Sequence, residues 1–331
     1  MVLALDDQFI WDSWYLRDGD VWHGYFLQAP RDLGDPDLRH WNVSIGHATS
    51  VDLVNWTHLG RTFGPAEGQA WDNYTTWTGC VVRGDDARWH LYYTGTNRAE
   101  HGLYQRIGHA VSDDLHHWSR VGDGLALDMD GPNARHYEAT HQVGVWSDRA
   151  MRDPWVIRDP QGPGWLMFFT ARAAGIAEPN AGGCIGLATS PDGVAWTLQP
   201  PVFIGEFGQL EVPKVFDVDG RWFCLFSTAA EHFSAERAAM TRPVTGSHYL
   251  IGDGPRGPWR LAPGFLDGAL PPNRYAASLL DTDQGLMLMG FADRPDGETF
   301  VGHIMDPVRV DVTPDGLLVR VDAQTAADSV S

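Results

Sequence analysis

An eleven-residue pattern, G-x-A-x-S-x-D-x-x-x-W, occurs three times in this chain and constrains its fold more than any other feature. The copies run from Gly46 to Trp56, from Gly108 to Trp118 and from Gly186 to Trp196. A pattern of this length that recurs along one chain indicates repeated architecture. It also fixes the phase of each repeat, so that other residues can be compared at equivalent positions.

A short aromatic and β-branched run precedes each copy, and two further runs of the same kind follow, which predicts five units of strands. The runs begin at Trp22, Trp89, Trp165, Trp222 and Gly285, with spacings of 67, 76, 57 and 63 residues. Such spacings suit four short strands, the unit of a propeller blade. We therefore predict an all-β, five-bladed β-propeller over 1–322, a C-terminal tail over 323–331, no C-terminal β-sandwich, and one short helical stretch, Ser234 to Met240.

Three acidic residues stand near the start of the predicted first strands of blades one, three and four. Asp12, Asp153 and Glu211 precede the aromatic residue of the next strand by 10, 12 and 11 residues. First strands line the channel of a propeller, so we expect the three carboxylates to converge there. Repulsion and burial would keep one carboxyl protonated as a general acid, as glycoside hydrolysis requires. We expect Arg152 to keep Asp153 charged and Glu211 to have the raised pKa.

The alternative for each acid alone is an ordinary turn residue that accepts backbone hydrogen bonds. Three acids at matching positions favour the catalytic interpretation. Aromatic residues near the same loops favour a sugar substrate, because sugar rings stack on indoles. They are Trp11, Trp14, Trp41, Trp71, Trp77 and Tyr275.

The net charge of -19 argues against nucleic acid or an anionic membrane as a partner. The three cysteines have no paired spacing, so we expect buried thiols and neither disulfides nor zinc. No cofactor or metal is predicted, since the pairs Asp35/Asp37 and Asp128/Asp130 are more typical of solvated turns than of a Ca²⁺ site. The first residues contain no export signal, which predicts a cytoplasmic protein if the chain begins at its natural start. A homodimer is a further expectation.

Several motifs, taken together, resemble glycoside hydrolase family 32, the invertases and fructanases. The first repeat and the run His23 to Pro30 are similar to two of the family's segments. Trp77-Thr-Gly resembles its Trp-Ser/Thr-Gly, Arg152-Asp-Pro its Arg-Asp-Pro, Glu211-Val-Pro its Glu-Cys-Pro, and Tyr275-Ala its Tyr-Ala. The motifs occur in the family's order and cover nearly the whole chain.

This resemblance implies a retaining enzyme that cleaves terminal β-fructofuranosyl units, with Asp12 as nucleophile, Asp153 as transition-state stabiliser and Glu211 as acid/base. It also implies a fructose subsite, for which we list Trp11, Gln28, Trp41, Trp77, Thr78, Arg152 and Tyr275. The segment Trp11-Asp-Ser-Trp14 is closer to family 68, the levansucrases and inulosucrases, and transfructosylation is left open. Alternatives are an inverting arabinosidase or xylosidase like family 43, and a non-catalytic sugar-binding propeller.

Overall fold

Five antiparallel sheets of four strands each make up the computed structural model, which describes residues 2–140, 148–264, 266, 274–294 and 299–321. Blade one contains β1 (Gln8–Asp18), β2 (Val21–Pro30), β3 (Ser44–Ser50) and β4 (Thr57–Phe63). Blade two contains β5 (Thr75–Arg83), β6 (Trp89–Thr96), β7 (Gln105–Ser112) and β8 (Ser119–Leu127). Blade three contains β9 (Met151–Arg158), β10 (Trp165–Arg172), β11 (Gly183–Ser190) and β12 (Thr197–Ile204).

Blade four contains β13 (Glu211–Val218), β14 (Arg221–Thr228), β15 (Gly246–Gly252) and β16 (Trp259–Leu261). Blade five contains β17 (Arg274–Thr282), β18 (Gly285–Ala292), β19 (Val308–Val312) and β20 (Leu318–Arg320).

The helix α1 (Ala235–Met240) lies where the sequence predicted a helical stretch. It begins after Ser234, whose hydroxyl accepts a hydrogen bond from the amide of Arg237. Short 3-10 helices cover Arg31–Leu33, Pro36–Trp41, Pro132–His136, Pro179–Ala181 and Ala230–His232.

The first strands of the five blades form a closed ring. β1 contacts β5, β5 contacts β9, β9 contacts β13, β13 contacts β17, and β17 contacts β1. Leu3 and Ile304 exchange two backbone hydrogen bonds, so the start of the chain pairs with the segment that follows β18. The predicted five-bladed propeller is confirmed.

The strands run from Gln8 to Arg320, whereas the predicted tail, 323–331, lies outside the described residues. Among the described residues, no helix is long and apolar enough to cross a membrane. Cys80, Cys184 and Cys224 are buried free thiols, as predicted.

The repeated pattern builds the same corner in three blades. In the first copy, the Ser50 hydroxyl and the Asp52 carboxylate accept the amides of the turn, and the Trp56 indole donates to the carbonyl of Leu53. The glycine that opens the pattern lies under an aromatic ring of the preceding strand, and a Cβ at Gly46 would overlap Phe26. The pattern is therefore structural, and its residues are turn and core residues as predicted.

In blades one and two, a histidine of the second strand pairs with a histidine of the third strand, and all four except His23 are buried. In blade two, the His109 ring stacks on Tyr92 at 4.7 Å, and its Nε2 lies 2.8 Å from Nδ1 of His90. Burial lowers the pKa of His109 from 6.5 to about 3, and the neighbouring His90 adds to this shift. The folded protein therefore favours the neutral imidazole.

We predict that this site destabilises the fold in acid. Because the folded pKa lies below the unfolded one, the contribution of His109 is complete above about pH 6.5 and is lost as pH falls toward 3. At pH 5 the loss is about 2 kcal/mol. Denaturant titrations of His109→Gln should show a shallower pH dependence of the free energy of unfolding between pH 7 and 5. The exposed control His101→Gln should follow the wild type, and equal slopes for all three proteins would contradict the prediction.

Candidate active site

A cavity of about 1060 Å³ opens near the first residues of the inner strands and is lined by all five blades. Most of the residues that the sequence singled out line it: Trp11, Asp12, Trp41, Trp77, Thr78, Arg152, Asp153, Glu211 and Tyr275. The three carboxylates therefore share one pocket, as predicted. What places them there is a feature of the backbone that recurs in every blade.

Each inner strand has a β-bulge at the same height. In the first three blades, the register between the first and second strands shifts at Asp12 in β1, Thr78 in β5 and Asp153 in β9. In blades four and five, the shift comes directly after Glu211 in β13 and Tyr275 in β17. At each bulge the chain bends, which re-aims the side chains. Inner-strand bulges thus present side chains from five blades to one cavity.

The register corrects one expectation about the acids. Asp12 and Asp153 are bulge residues with positive φ, 28° and 58°, whereas Glu211 pairs with Ser227 one position before its bulge. Glu211 is thus equivalent to Arg152, not to Asp153. Counting residues back from the next strand missed this offset because the turns between first and second strands differ in length. The offset leaves the Glu211 side chain 24% exposed, against 4% for Asp153.

Hydroxyl groups on the second strands support the bulge of the following blade, and the sequence analysis missed them. Thr94 Oγ1 accepts the amide of Asp153 at 2.8 Å, and Ser227 Oγ accepts the amide of Ala276 at 2.9 Å. Thr170 Oγ1 donates to Asp153 Oδ2 and to the carbonyl of Leu210. The three hydroxyls stand five residues after the aromatic residue that opens each run, so the repeat spacing could have identified them.

Of the three acids, Asp12 is the one whose ionised form is disfavoured most strongly. Its Oδ2 accepts a 2.6 Å hydrogen bond from the Thr78 hydroxyl. Burial, followed by the charges of Asp153 and Glu211, raises the pKa of Asp12 to about 7, although Thr78 and Lys214 act in the opposite direction. Near neutral pH this carboxyl is therefore partly protonated.

Asp153 is fixed more firmly than the other two acids. Its Oδ2 accepts hydrogen bonds from Thr170 at 2.9 Å and from the amide of Val212 at 3.1 Å, and Arg152 Nε lies 3.5 Å away. Burial raises the pKa of Asp153, and Arg152 offsets part of this rise. Arg152 thus favours the charged form, as expected, but it does not cancel the effect of burial.

Glu211 has the opposite pKa shift from the one we expected. Its Oε1 accepts a 2.7 Å bond from Arg152 Nη2, and its Oε2 accepts a 2.5 Å bond from the Tyr275 hydroxyl. Burial acts to raise the pKa of Glu211, but Arg152, Tyr275 and His232 together bring it below 4.5. The expectation of a raised pKa was wrong because Arg152 and Tyr275, which are 59 and 64 positions from Glu211 in sequence, donate to its carboxylate in the fold.

Arg152 is held in place by a second polar group behind it. Its Nη1 donates to Gln105 Oε1 at 3.3 Å, and Gln105 in turn donates to Asp148 Oδ2 at 2.6 Å. Asp148 also lies 3.7 Å from Arg152. Charges on both sides keep the guanidinium oriented toward Glu211.

Aromatic side chains form one wall of the cavity. Trp41 is 39% exposed, stacks on Tyr74 at 5.2 Å and lies 5.9 Å from Trp77, whose indole donates to the carbonyl of His40. An exposed indole at a pocket suits the apolar face of a sugar ring. Trp11 is 2% exposed, so only a small part of its ring is available to a ligand.

Three other residues from the sequence analysis lie outside the cavity. Gln28 is buried against Gly46 and does not line it, so the structure does not support a direct contact between Gln28 and a ligand. Trp14 stacks on Tyr25 inside blade one, and Trp71 packs against Gly95. Trp14 is a core residue of β1, whereas Trp71 is a partly buried residue of the loop before β5, and its indole donates to the carbonyl of Asp123.

The rim contains polar residues that no sequence pattern had indicated. They are Arg39, His40, Gln105, Gln209, Glu231, His232, Arg242, Asp293 and Arg294. Most stand on loops between strands, where the repeat gives no guide. Asp37 and Asp128, which had been weighed as calcium ligands, form ion pairs with Arg39 and with Arg106 and Arg149.

The profile of the glycosyl hydrolases family 32 N-terminal domain matches residues 14–298. Extracellular sucrase of Zymomonas mobilis subsp. mobilis is 26% identical over 96% of this chain and 84% of its own length. A levanase of Bacillus sp. is 26% identical over 76% of this chain and 25% of its own length. The structure of the inulosucrase from Halalkalicoccus jeotgali bound to kestose covers 96% of this chain and 87% of its own, with 24% identity and a TM-score of 0.75.

The chain belongs to glycoside hydrolase family 32. This membership confirms the prediction of a glycosidase of the fructosyl-cleaving type, and no finding favours the arabinosidase, xylosidase or non-catalytic alternatives. The prediction of a cytoplasmic protein was wrong, because the relatives that match 96% of the chain are extracellular sucrases. That prediction had used only the first few residues, which do not determine the compartment.

We predict that the Thr170 hydroxyl contributes to stability through Asp153. Thr170→Val leaves Asp153 Oδ2 and the carbonyl of Leu210 without this donor, and the expected loss is about 1–3 kcal/mol in the free energy of unfolding. Thr228→Val is a matched control, since Thr228 is equally buried and its hydroxyl has no hydrogen-bond partner among the described residues. Urea titrations that gave equal losses for the two variants would contradict the prediction.

Proposed function

We propose that the protein hydrolyses terminal β-fructofuranosides of the sucrose or fructo-oligosaccharide type with retention, using Asp12 as nucleophile, Glu211 as acid/base and Asp153 as stabiliser. The main support is that the carboxylates of Asp12, Asp153 and Glu211, which come from three different blades, line one cavity. A pair of carboxyls at one site can divide the nucleophilic and acid roles that glycoside hydrolysis requires.

The reaction proceeds in two displacements. Asp12 attacks the anomeric carbon of the fructosyl unit, and the bond to the leaving oxygen breaks as Glu211 gives that oxygen its proton. Water then attacks the same anomeric carbon, the bond from that carbon to the Asp12 carboxylate breaks, and Glu211 takes a proton from this water. Fructose leaves, the Asp12 carboxylate is free again, and Glu211 is again protonated.

Asp153 is suited to stabilising positive charge on the ring without reacting. Its Oδ2 is engaged by Thr170, Val212 and Arg152, which fixes the carboxylate in one orientation. A preorganised anion stabilises the oxocarbenium-like transition state without reorganising during the reaction. We propose that its carboxylate also binds ring hydroxyls.

In the free enzyme, the proton that Asp12 and Glu211 share lies mainly on Asp12, which is not the arrangement that catalysis requires. With the pKa of Asp12 about 7 and that of Glu211 below 4.5, the singly protonated pair carries its proton mainly on Asp12. Catalysis requires the other arrangement, in which Glu211 is protonated and Asp12 is charged. The two carboxyls titrate as a pair, so both arrangements share the same pH window.

The proposed fructose subsite consists of Trp11, Trp41, Trp77, Thr78, Arg152 and Tyr275, which line the cavity. The extracellular sucrase and levanase relatives support fructosides as substrates. If a sugar in place of water accepts the fructosyl group, the same site performs transfructosylation. Homodimerisation, no nucleic-acid partner and no membrane partner stay predictions.

We predict a bell-shaped pH dependence of kcat/KM with an alkaline limb near pH 7 and an acidic limb below pH 4.5. Above pH 7 the pair has lost its one proton, and below the Glu211 pKa both carboxyls are protonated. Tyr275→Phe removes a donor that favours the Glu211 anion, so its acidic limb should move up by about one unit. The alkaline limb should stay in place, and an acidic limb that does not move would contradict this role of Tyr275.

The acid role of Glu211 predicts a dependence on the leaving group. Glu211→Ala should lower kcat/KM for sucrose about 10³-fold or more, and it should lower that for an aryl fructoside much less, because a phenolate leaves without protonation. Asp12→Asn should lose activity on both substrates. The exposed Asp253→Asn is the control. Equal losses on the two substrates in Glu211→Ala would contradict the assignment.

A further inference from the structure

Lys214 is the only lysine among the 331 residues, and the other 23 of the 24 Lys and Arg residues are arginines. It is 1% exposed, in the inner strand β13, three residues after Glu211. Lysine is almost never fully buried without partners. The position of this single ammonium inside the ring of inner strands therefore calls for a specific role.

The Lys214 ammonium connects three inner strands. Its Nζ donates to the carbonyl of Ser13 at 2.7 Å in β1, and to the carbonyl of Ala276 at 2.9 Å and the hydroxyl of Ser278 at 2.5 Å in β17. Ser13 directly follows Asp12, and Ala276 is the bulge residue of blade five with a φ of 52°. Lys214 thus holds the bulge that presents Asp12.

The three acceptors suit an ammonium better than a guanidinium. An ammonium has three donors on one compact centre, which matches two carbonyls and a hydroxyl. A guanidinium is planar, carries five donors and is larger, so two of its N–H groups would stay buried without acceptors. This difference gives a physical reason for a lysine in a chain that otherwise uses arginine.

The ionisable groups that face Lys214 come from blades one, two and three. Burial lowers the pKa of Lys214 to about 7, whereas Asp12 and Asp153, followed by the Cys80 thiol, act to raise it. The effect is reciprocal at Asp12, whose pKa Lys214 lowers. The ammonium and the Asp12 carboxylate therefore stabilise each other's charged forms inside the ring.

We propose that Lys214 is a positioning residue that favours the ionised form of Asp12 and holds Asp12 in place for nucleophilic attack. Its three hydrogen bonds fix the backbone on either side of the pocket floor, and its charge offsets that of Asp12. This role rests on the proposed function of Asp12. It adds a group that never touches the substrate and acts only through the nucleophile.

The single lysine allows a direct test by NMR, because ¹³Cε,¹⁵Nζ-lysine labelling gives one side-chain signal. In the wild type we expect this signal to titrate near pH 7. In Asp12→Asn, which keeps the shape of the side chain, the lysine should titrate about one unit lower, since its counter-charge is gone. An unchanged titration in Asp12→Asn would overturn the proposal.

Kinetics provide a readout that a purely structural role would not move. In Lys214→Met the pKa of Asp12 should rise, so the alkaline limb of kcat/KM should move up by about one unit and its maximum should fall about tenfold. Ser278→Ala keeps the charge and removes one acceptor, so its alkaline limb should stay in place. An unmoved limb in a folded Lys214→Met protein would overturn the proposal.

The outcomes separate this proposal from the proposed function. If Asp12→Asn keeps wild-type activity, the assignment of the nucleophile fails, whatever Lys214 does. If Asp12→Asn is inactive and either the lysine titration or the alkaline limb fails to respond as expected, only the role of Lys214 fails. Should Lys214→Met not fold, the NMR comparison of wild type and Asp12→Asn decides alone.

Discussion

The bulge in each inner strand is the constraint on which the site depends. Without it, the five strands would continue their regular alternation, and Asp12 and Asp153 would not adopt the positive φ values that aim them at the pocket. Such backbone costs of order 1–3 kcal/mol per residue and persists only where neighbours over-determine it. Here the neighbours are hydroxyls on the preceding blade, such as Thr94 beneath Asp153, and the Lys214 ammonium beneath the bulge of blade one.

The same bulges bring like charges together, and the proposed mechanism uses the proton that the resulting repulsion retains. Carboxylates from three blades face one cavity, and burial together with mutual repulsion keeps a proton on the pair Asp12 and Glu211 near neutral pH. Arg152 and Tyr275 determine where that proton resides by stabilising the Glu211 anion. In the proposed mechanism, these two residues thus control how much of the enzyme holds its proton on the acid/base when substrate arrives.

The repeat made the fold predictable, including blade number, strand order and the core role of its Gly, Ser, Asp and Trp. The convergence of Asp12, Asp153 and Glu211 was predictable for the same reason. The pKa order was not, because it depends on contacts such as Arg152 with Glu211, which link residues 59 positions apart in sequence. Gln28 does not line the cavity, and a family motif alone does not reveal which face of a strand a side chain occupies. The rim loops and the role of Lys214 lie outside any repeat.

The most direct test of the account is to identify the residue that carries the sugar during turnover. Rapid acid quench of the enzyme with sucrose, followed by proteolysis and mass spectrometry, should find one hexosyl unit on the peptide that contains Asp12. The Glu211→Ala variant with an aryl fructoside should accumulate more of this adduct, because no base assists its hydrolysis. A sugar on a different residue, or turnover with no adduct and with inverted product in methanolysis, would contradict the account.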